Sequence, residues 1–172
     1  MNWEISFLEF LNNTFSGGFL DRIMVFLSTL GNGGFLWIAS AFVMLFFKKW
    51  RKAGVAMLIA LAVGFIVTNL TLKPLVARTR PFDVYPEFTP IIPLPLDFSF
   101  PSGHTCSSFA AAVALTVQKR KAGIFALAVA ALIAFSRMYL LVHFPTDIMA
   151  GAVVGVVSGF ISTFFVNKTK KL

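Results

Sequence analysis

Long apolar runs, each ended by a short basic or Gly/Pro-containing break, dominate the chain from residue 33 onward. Residues 33–47, 53–72, 122–142 and 148–167 each read as a membrane helix. Two of these, 53–72 and 148–167, run for about 20 residues without a charge, the length that a bilayer crossing needs. A fifth stretch, 102–118, opens on Ser-Gly-His-Thr but is almost wholly apolar over 109–117, and reads as a span entered through a polar mouth.

The first 31 residues have a different pattern. Glu4, Glu9, Asp21 and Arg22 interrupt them, and Gly17-Gly18 marks a break. Trp3, Phe7, Leu8 and Leu11 recur at helical spacing, which predicts an amphipathic interfacial helix over 1–16, followed by a short or tilted first span over 18–30. The predicted architecture is all-α: an integral membrane helical bundle of about six transmembrane helices, forming a single domain over 1–172. In the last helix Gly151, Gly155 and Gly159 line one face. Small residues let helices approach closely in lipid, and internal packing is expected there ahead of homodimerisation.

Composition agrees with that pattern. Hydrophobic residues make up 58% of the chain and charged residues only 13%, against roughly 25% charged in soluble domains. The mean hydropathy is +0.83. No room remains for a second soluble module. The net charge of +8 would by itself suggest nucleic acid or an anionic surface as partner, but position argues otherwise. Ten of the 15 cations fall in three clusters, at 48–52, 119–121 and Lys168, Lys170 and Lys171, at alternate chain turns. By the positive-inside tendency these turns are cytoplasmic, so six spans put both termini inside and turn the connections 31–34, 73–101 and 142–147 outward. A nucleic-acid partner is not expected. Cys106, the only cysteine, excludes an intramolecular disulfide. The N-terminus lacks the basic start of a signal peptide and is expected to be retained. The long outer connection carries Pro86, Pro90, Pro93 and Pro95 among apolar residues, which suits either a loop on the headgroup layer or a lip that guides substrate.

Outside the basic clusters remain Arg22, Lys73, Arg78, Arg80 and Arg137, four of them beside the only histidines, His104 and His143. Three stretches hold them: Lys73-Pro-Leu-Val-Ala-Arg-Thr-Arg80-Pro81, Pro101-Ser-Gly-His104, and Ser136-Arg137 followed by His143 and Asp147. A phosphate monoester carries about two negative charges and three non-bridging oxygens, so its site needs several cations and backbone donors. In a helix, Lys73 and Arg80 would share one face while Arg78 pointed away. Arg78 is therefore set aside as a candidate headgroup contact. Ser102 is placed to cap a helix, and Gly103 to let its N–H groups approach an anion. Pro145 suits the first position of the last helix. Asp147 can then reach back to His143 and fix the tautomer that leaves the other ring nitrogen as nucleophile.

These three stretches resemble the signatures of the type 2 phosphatidic acid phosphatase superfamily (PAP2), membrane lipid phosphatases that share a core with bacterial acid phosphatases and vanadium haloperoxidases. The family pattern is Lys, six residues, Arg-Pro; Pro-Ser-Gly-His; and Ser-Arg, five residues, His, three residues, Asp. Every position matches over 73–147. The resemblance implies that His143 attacks phosphorus to form a phosphohistidine, that Asp147 orients it, and that His104 protonates the leaving oxygen and later activates water. It further implies that Lys73, Arg80, Ser102, Gly103 and Arg137 hold the phosphoryl oxygens, with no metal and no cofactor. Two histidines and an aspartate could instead ligate Zn²⁺, but the three cations around them would repel it. The expected substrate is a membrane lipid phosphate in the bilayer. Phosphatidylglycerol phosphate, phosphatidic acid, undecaprenyl diphosphate and lipid A 1-phosphate all suit the family, at the outer face of a bacterial inner membrane. A lipid phosphotransferase, or a lipid or anion transporter, is the competing reading; transporters commonly carry inverted repeats, and no matching halves are found.

Overall fold

The computed structural model describes residues 3–169, and all regular structure among them is helical. Residues 1 and 2 of the expected interfacial helix, and Lys170 and Lys171 of the third basic cluster, lie outside the described residues. The helices are α1 (Trp3–Phe15), α2 (Gly18–Leu30), α3 (Phe35–Leu45), α4 (Arg51–Phe65), α5 (Lys73–Val76), α6 (Pro81–Val84), α7 (Gly103–Gln118), α8 (Arg120–Tyr139) and α9 (Pro145–Lys168). A π-helical segment, Ile66–Leu72, joins α4 to α5.

Helix α7 is the centre of the bundle and packs on α4, α8 and α9. Its inner faces are built from small side chains: Ala110, Ala111, Ala112 and Ala114 meet Ala53, Ala56, Ala60 and Ala130, all fully buried or nearly so. Large apolar residues, among them Phe42, Phe46, Phe125, Phe160 and Phe164, are turned outward. That distribution inverts a soluble protein, because in lipid the tight contacts come from close backbone approach rather than from expulsion of water.

The glycine face of α9 is turned onto α7 of the same chain. A Cβ at Gly151 would lie 2.6 Å from the Ser102 carbonyl oxygen, one at Gly155 2.5 Å from that of Cys106, and one at Gly159 2.7 Å from Val113 Cβ. Backbone atoms cannot step aside as a flexible side chain can. Gly155→Ala is therefore expected to destabilise the bundle by about 1–3 kcal/mol, read as an earlier thermal transition in detergent. Val153→Ala, on the exposed flank of the same helix, should leave that transition nearly in place.

Three helical stretches are long and apolar enough to cross a membrane: Arg51–Val84, Arg120–Tyr139 and Pro145–Lys168. A fourth exists if α2 and α3, bent by 46° at their junction, count as one broken span, against the six expected. The two helices have only 13 and 11 residues. Gly33 and Gly34, both with left-handed backbone (φ 58° and 69°), bend the chain between them without reversing it. Left-handed φ is costly for residues with a Cβ, so glycine is favoured at such a corner.

That bend changes the placement of the ends. Trp50 lies under Lys119, 5.6 Å from the ammonium to the ring centroid, and Gln118 donates to Asn167 at 2.8 Å. The clusters at 48–52 and 119–121 therefore gather with Lys168 at one end of the bundle. Glu4 of α1, in contrast, accepts a hydrogen bond from the backbone N–H of Thr146, at the start of α9. Helix α9 runs 24 residues from that point to Lys168. Residues 4 and 168 lie at opposite ends of the bundle, whereas six full crossings with both termini on one face would bring the two ends of the chain together. Counted as one broken span, α2 and α3 make the number of crossings before the first basic cluster odd rather than even.

Candidate active site

His143 sits in the short link between α8 and α9, where Leu140, Leu141 and Val142 are all buried. Leu141 takes a left-handed backbone conformation (φ 58°), and Pro145 opens α9. Asp147, in the first turn of α9, accepts at Oδ2 from the Phe144 N–H at 2.9 Å and from the Ser99 hydroxyl at 2.5 Å. The same oxygen faces His143 Nδ1 at 3.4 Å. On the other side of the ring, Arg80 Nη1 lies 3.3 Å from Nε2. Arginine can only donate. Nε2 therefore carries the lone pair and Nδ1 the proton that points to Asp147. Burial pushes the His143 pKa down to about 3; Asp147 opposes the shift, while Arg80 and Arg137 add to it. The ring is neutral at neutral pH.

Lys73 and Arg80 reach the same place by a different route from the one their spacing predicts. Helix α5 ends after one turn at Ala77, which is left-handed (φ 48°), and Arg80 is extended before Pro81 opens α6. The two residues share no helix face. Instead both grip Asp97: Lys73 Nζ pairs with Oδ2, and Arg80 donates to Oδ1 at 2.6 Å and to the Asp97 carbonyl at 2.8 Å. Arg80 also donates to the Val142 carbonyl at 2.6 Å, next to His143. Burial alone would raise the Asp97 pKa, but the hydrogen bond and charge of Lys73, with Arg80 beside it, hold it down to about 2. Arg78 is not among the residues that line the site cavity, and its guanidinium lies between two carboxylates. It donates to Asp147 Oδ1 at 2.7 Å and to Glu4 Oε2 at 2.7 Å, which corrects its placement as a headgroup contact.

Ser102 is the N-cap of α7, its hydroxyl accepting from the Thr105 N–H at 3.4 Å. His104 Nε2 lies 2.9 Å from Asn32 Oδ1 in the glycine-rich corner. Gly31 allows that approach, since a Cβ there would stand 2.8 Å from the imidazole. Arg137 is buried at the end of α8, bonded through Nη1 to the Ser28 hydroxyl, and its Nε has no hydrogen-bond partner. A buried guanidinium N–H without a partner is costly unless an acceptor arrives.

Lys73, Arg80, Gly103, His104, Arg137 and His143 line one cavity of about 810 Å³. Ser102 and Asp147 are fully buried behind its wall. Away from the charged end, Val25, Ile38, Leu58, Leu61 and Phe65 make the lining apolar. Among the described residues, no group of three His, Cys, Asp or Glu is placed to hold a metal ion. The cavity thus combines a cationic end, two imidazoles and an apolar wall.

Residues 51–171 match the PAP2 superfamily. The chain belongs to that superfamily. It is 33% identical to an undecaprenyl-diphosphatase of Sulfolobus acidocaldarius over 144 residues, which cover 83% of this chain and 69% of that protein. The fold is similar to that of LpxE from Aquifex aeolicus, with a TM-score of 0.82 and 25% identity, covering 94% of this chain and 95% of the other. It is also similar to a transmembrane PAP2-type phosphatidylglycerolphosphate phosphatase of Bacillus subtilis, with a TM-score of 0.78 and 27% identity, covering 100% and 90% of the two chains.

Several residues of this PAP2 chain enter the site without having been singled out in the sequence. Asp97 and Ser99 come from the proline-rich connection, whose Ile92, Pro93 and Pro95 also line the cavity. An acid in that apolar stretch, seven residues before His104, was the available signal. Asn32 and Ser28 had none, because only the bend between α2 and α3 brings them to His104 and Arg137. Glu4 looked like an interruption of an amphipathic pattern, yet it is buried, as are Ile5, Leu8 and Leu11.

Proposed function

We propose that this PAP2 protein hydrolyses a membrane lipid phosphate, monoester or diphosphate, through a phosphohistidine. The observation that carries the reading is the single cavity in which three cations and two imidazoles meet an apolar wall. A headgroup phosphate satisfies Lys73, Arg80 and the unpartnered Arg137 Nε, and the lipid chains follow the apolar side. His143 attacks phosphorus through the Nε2 lone pair while Asp147 holds the Nδ1 proton. As the bond from phosphorus to the leaving oxygen breaks, His104 supplies that oxygen with a proton. Water, deprotonated by His104, then attacks the phosphohistidine and releases inorganic phosphate with His143 restored. The amino end of α7, with Ser102 as cap and Gly103 at the cavity, adds a positive dipole end to the cradle.

Undecaprenyl diphosphate and phosphatidylglycerol phosphate are the substrates to test first, given what the relatives are named for. The whole chain acts as one domain, with five crossings if α7 is counted beside the bent α2–α3 pair. The site end lies opposite the basic clusters, so positive-inside orientation puts it on the outer face of the cell membrane. The test is phosphate release by purified protein from farnesyl diphosphate, undecaprenyl diphosphate, phosphatidylglycerol phosphate and phosphatidic acid, with and without excess EDTA. Release from at least one lipid, unchanged by the chelator, is expected. In sealed right-side-out vesicles, substrate added outside should be consumed. No release from any lipid would sink the phosphatase reading, EDTA-sensitive release the metal-free mechanism, and release confined to inverted vesicles the orientation.

Asp97 competes with substrate in this scheme, because its carboxylate occupies the two cations that a phosphate needs. With its pKa held near 2, it stays ionised throughout the working pH range. Asp97→Asn should therefore lower KM by about tenfold, equivalent to about 1.4 kcal/mol of binding, with kcat changed less. A raised KM would show instead that Asp97 holds Lys73 and Arg80 in place for substrate.

A further inference from the structure

A line of charged groups that the phosphate cradle does not use runs from Asp147 to the first helix. Asp147 Oδ2 is committed to Ser99, the Phe144 N–H and His143. Its other oxygen, Oδ1, accepts from Arg78 Nη1 at 2.7 Å, and the second arm of the same fork, Nη2, donates to Glu4 Oε2 at 2.7 Å. Glu4 is fixed in turn at Oε1, which accepts from the Thr146 N–H at 3.1 Å and the Thr146 hydroxyl at 2.6 Å. That hydroxyl oxygen accepts from Arg78 Nη1 at 2.7 Å. The guanidinium also lies over the Phe144 ring, 3.9 Å from its centroid. It is held at its edges and on one face.

Packing does not explain this arrangement. Ile5, Leu8 and Leu11 already dock α1 on the bundle, while Trp3, Phe7 and Phe10 face outward. A carboxylate only 5% exposed is a costly addition to such a helix unless it is paired and hydrogen-bonded. We propose that Glu4 and Arg78 are positioning residues for His143, acting through Asp147, so that the first helix completes the site. A carboxylate can rotate about its Cβ–Cγ bond and offer either oxygen. The planar, rigid fork of Arg78, bound to Oδ1, fixes that rotation and leaves Oδ2 for the imidazole. Alone, Arg78 could swing its long side chain; Glu4 holds the second arm and sets the fork's angle. Neither Glu4 nor Arg78 lines the cavity, so what they control is the aim of Nε2.

This inference rests on His143 being the nucleophile. The test uses full-length protein in detergent with farnesyl diphosphate as probe, comparing Glu4→Gln, Arg78→Gln and the double variant. Glu4→Gln keeps the shape and removes the charge. The expected result is a fall in kcat of about tenfold for Glu4→Gln, three hydrogen bonds from the imidazole, and up to about 100-fold for Arg78→Gln, two bonds away, the scale carried by residues that orient a reacting group from outside it. KM should stay within about twofold, because the cradle is intact. The double variant should be no slower than Arg78→Gln alone, since both act through one contact. Phe10→Ala, on the outward side of α1, should leave kcat unchanged. If Glu4→Gln does not fold, Arg78→Lys reports the same contact, because it keeps the charge but cannot reach both carboxylates; its kcat should also fall with KM preserved. An unchanged kcat, a raised KM with preserved kcat, or additive losses in the double variant would overturn the proposal. If wild type releases no phosphate, or His143→Ala is fully active, the phosphatase reading falls and this one with it. If wild type is active and dependent on His143 while Glu4→Gln and Arg78→Gln keep their kcat, only this inference falls.

Discussion

His143→Ala should abolish phosphate release, with kcat reduced on the order of 10⁴-fold or more, the scale of losing a covalent nucleophile. No neighbouring group can replace it. Arg80 and Lys73 have no lone pair to offer when charged, Asp147 is turned away behind the ring, and His104 lies across the cavity bonded to Asn32. Because the cradle of Lys73, Arg80 and Arg137 does not depend on the imidazole, the variant should still bind phosphate, competing for a fluorescent lipid phosphate as wild type does. Rapid acid-labile, base-stable labelling of wild type by a ³²P-labelled substrate, absent from His143→Ala, would identify the phosphohistidine directly. His143→Asn preserves some of the ring's polar character and guards against collapse of the buried link. Substantial turnover by both variants would move the nucleophile elsewhere.

His104→Ala should have the second-largest effect, about 10²–10⁴-fold in kcat, as expected for a general acid and base. This loss should depend on the leaving group, which separates it from loss of the nucleophile. An alkyl alkoxide must be protonated as it departs, whereas the oxygen of p-nitrophenyl phosphate leaves readily as an anion. With the aryl substrate, formation of the phosphohistidine by His104→Ala should be close to wild type, and its hydrolysis should become the slow step. A burst of p-nitrophenol followed by a slow steady state is the expected trace. Equal losses on alkyl and aryl substrates, without a burst, would place His104 in binding rather than in proton transfer.

The site was legible in the sequence to different depths. Each motif is local: capping by Ser102, Pro145 at the start of α9 and the four-residue reach from Asp147 to His143 all lie within one turn of chain. Short-range geometry of that kind follows from residue types and spacing. The pairing of Lys73 with Arg80 was inferred from a helix that does not exist, since left-handed Ala77 interrupts it. Both residues nevertheless converge, because Asp97 arrives from a connection 17 residues beyond Arg80. No periodicity encodes such a contact.

The apolar runs, the basic clusters and three motifs by themselves determined that this is an all-helical membrane protein of the PAP2 type, with its three motifs opposite the basic clusters. Hydropathy and charge act locally and additively along the chain, so they survive being read one residue at a time. The tertiary structure alone decided that α2 and α3 meet at a bend rather than a reversal, that Glu4 lies against Thr146 at the start of α9, and that Arg78 turns to Asp147. Those outcomes depend on a 46° bend at a pair of glycines and on side chains up to 142 residues apart. Such contacts are chosen by mutual packing and charge compensation in the folded bundle, and neither exists until the helices have met.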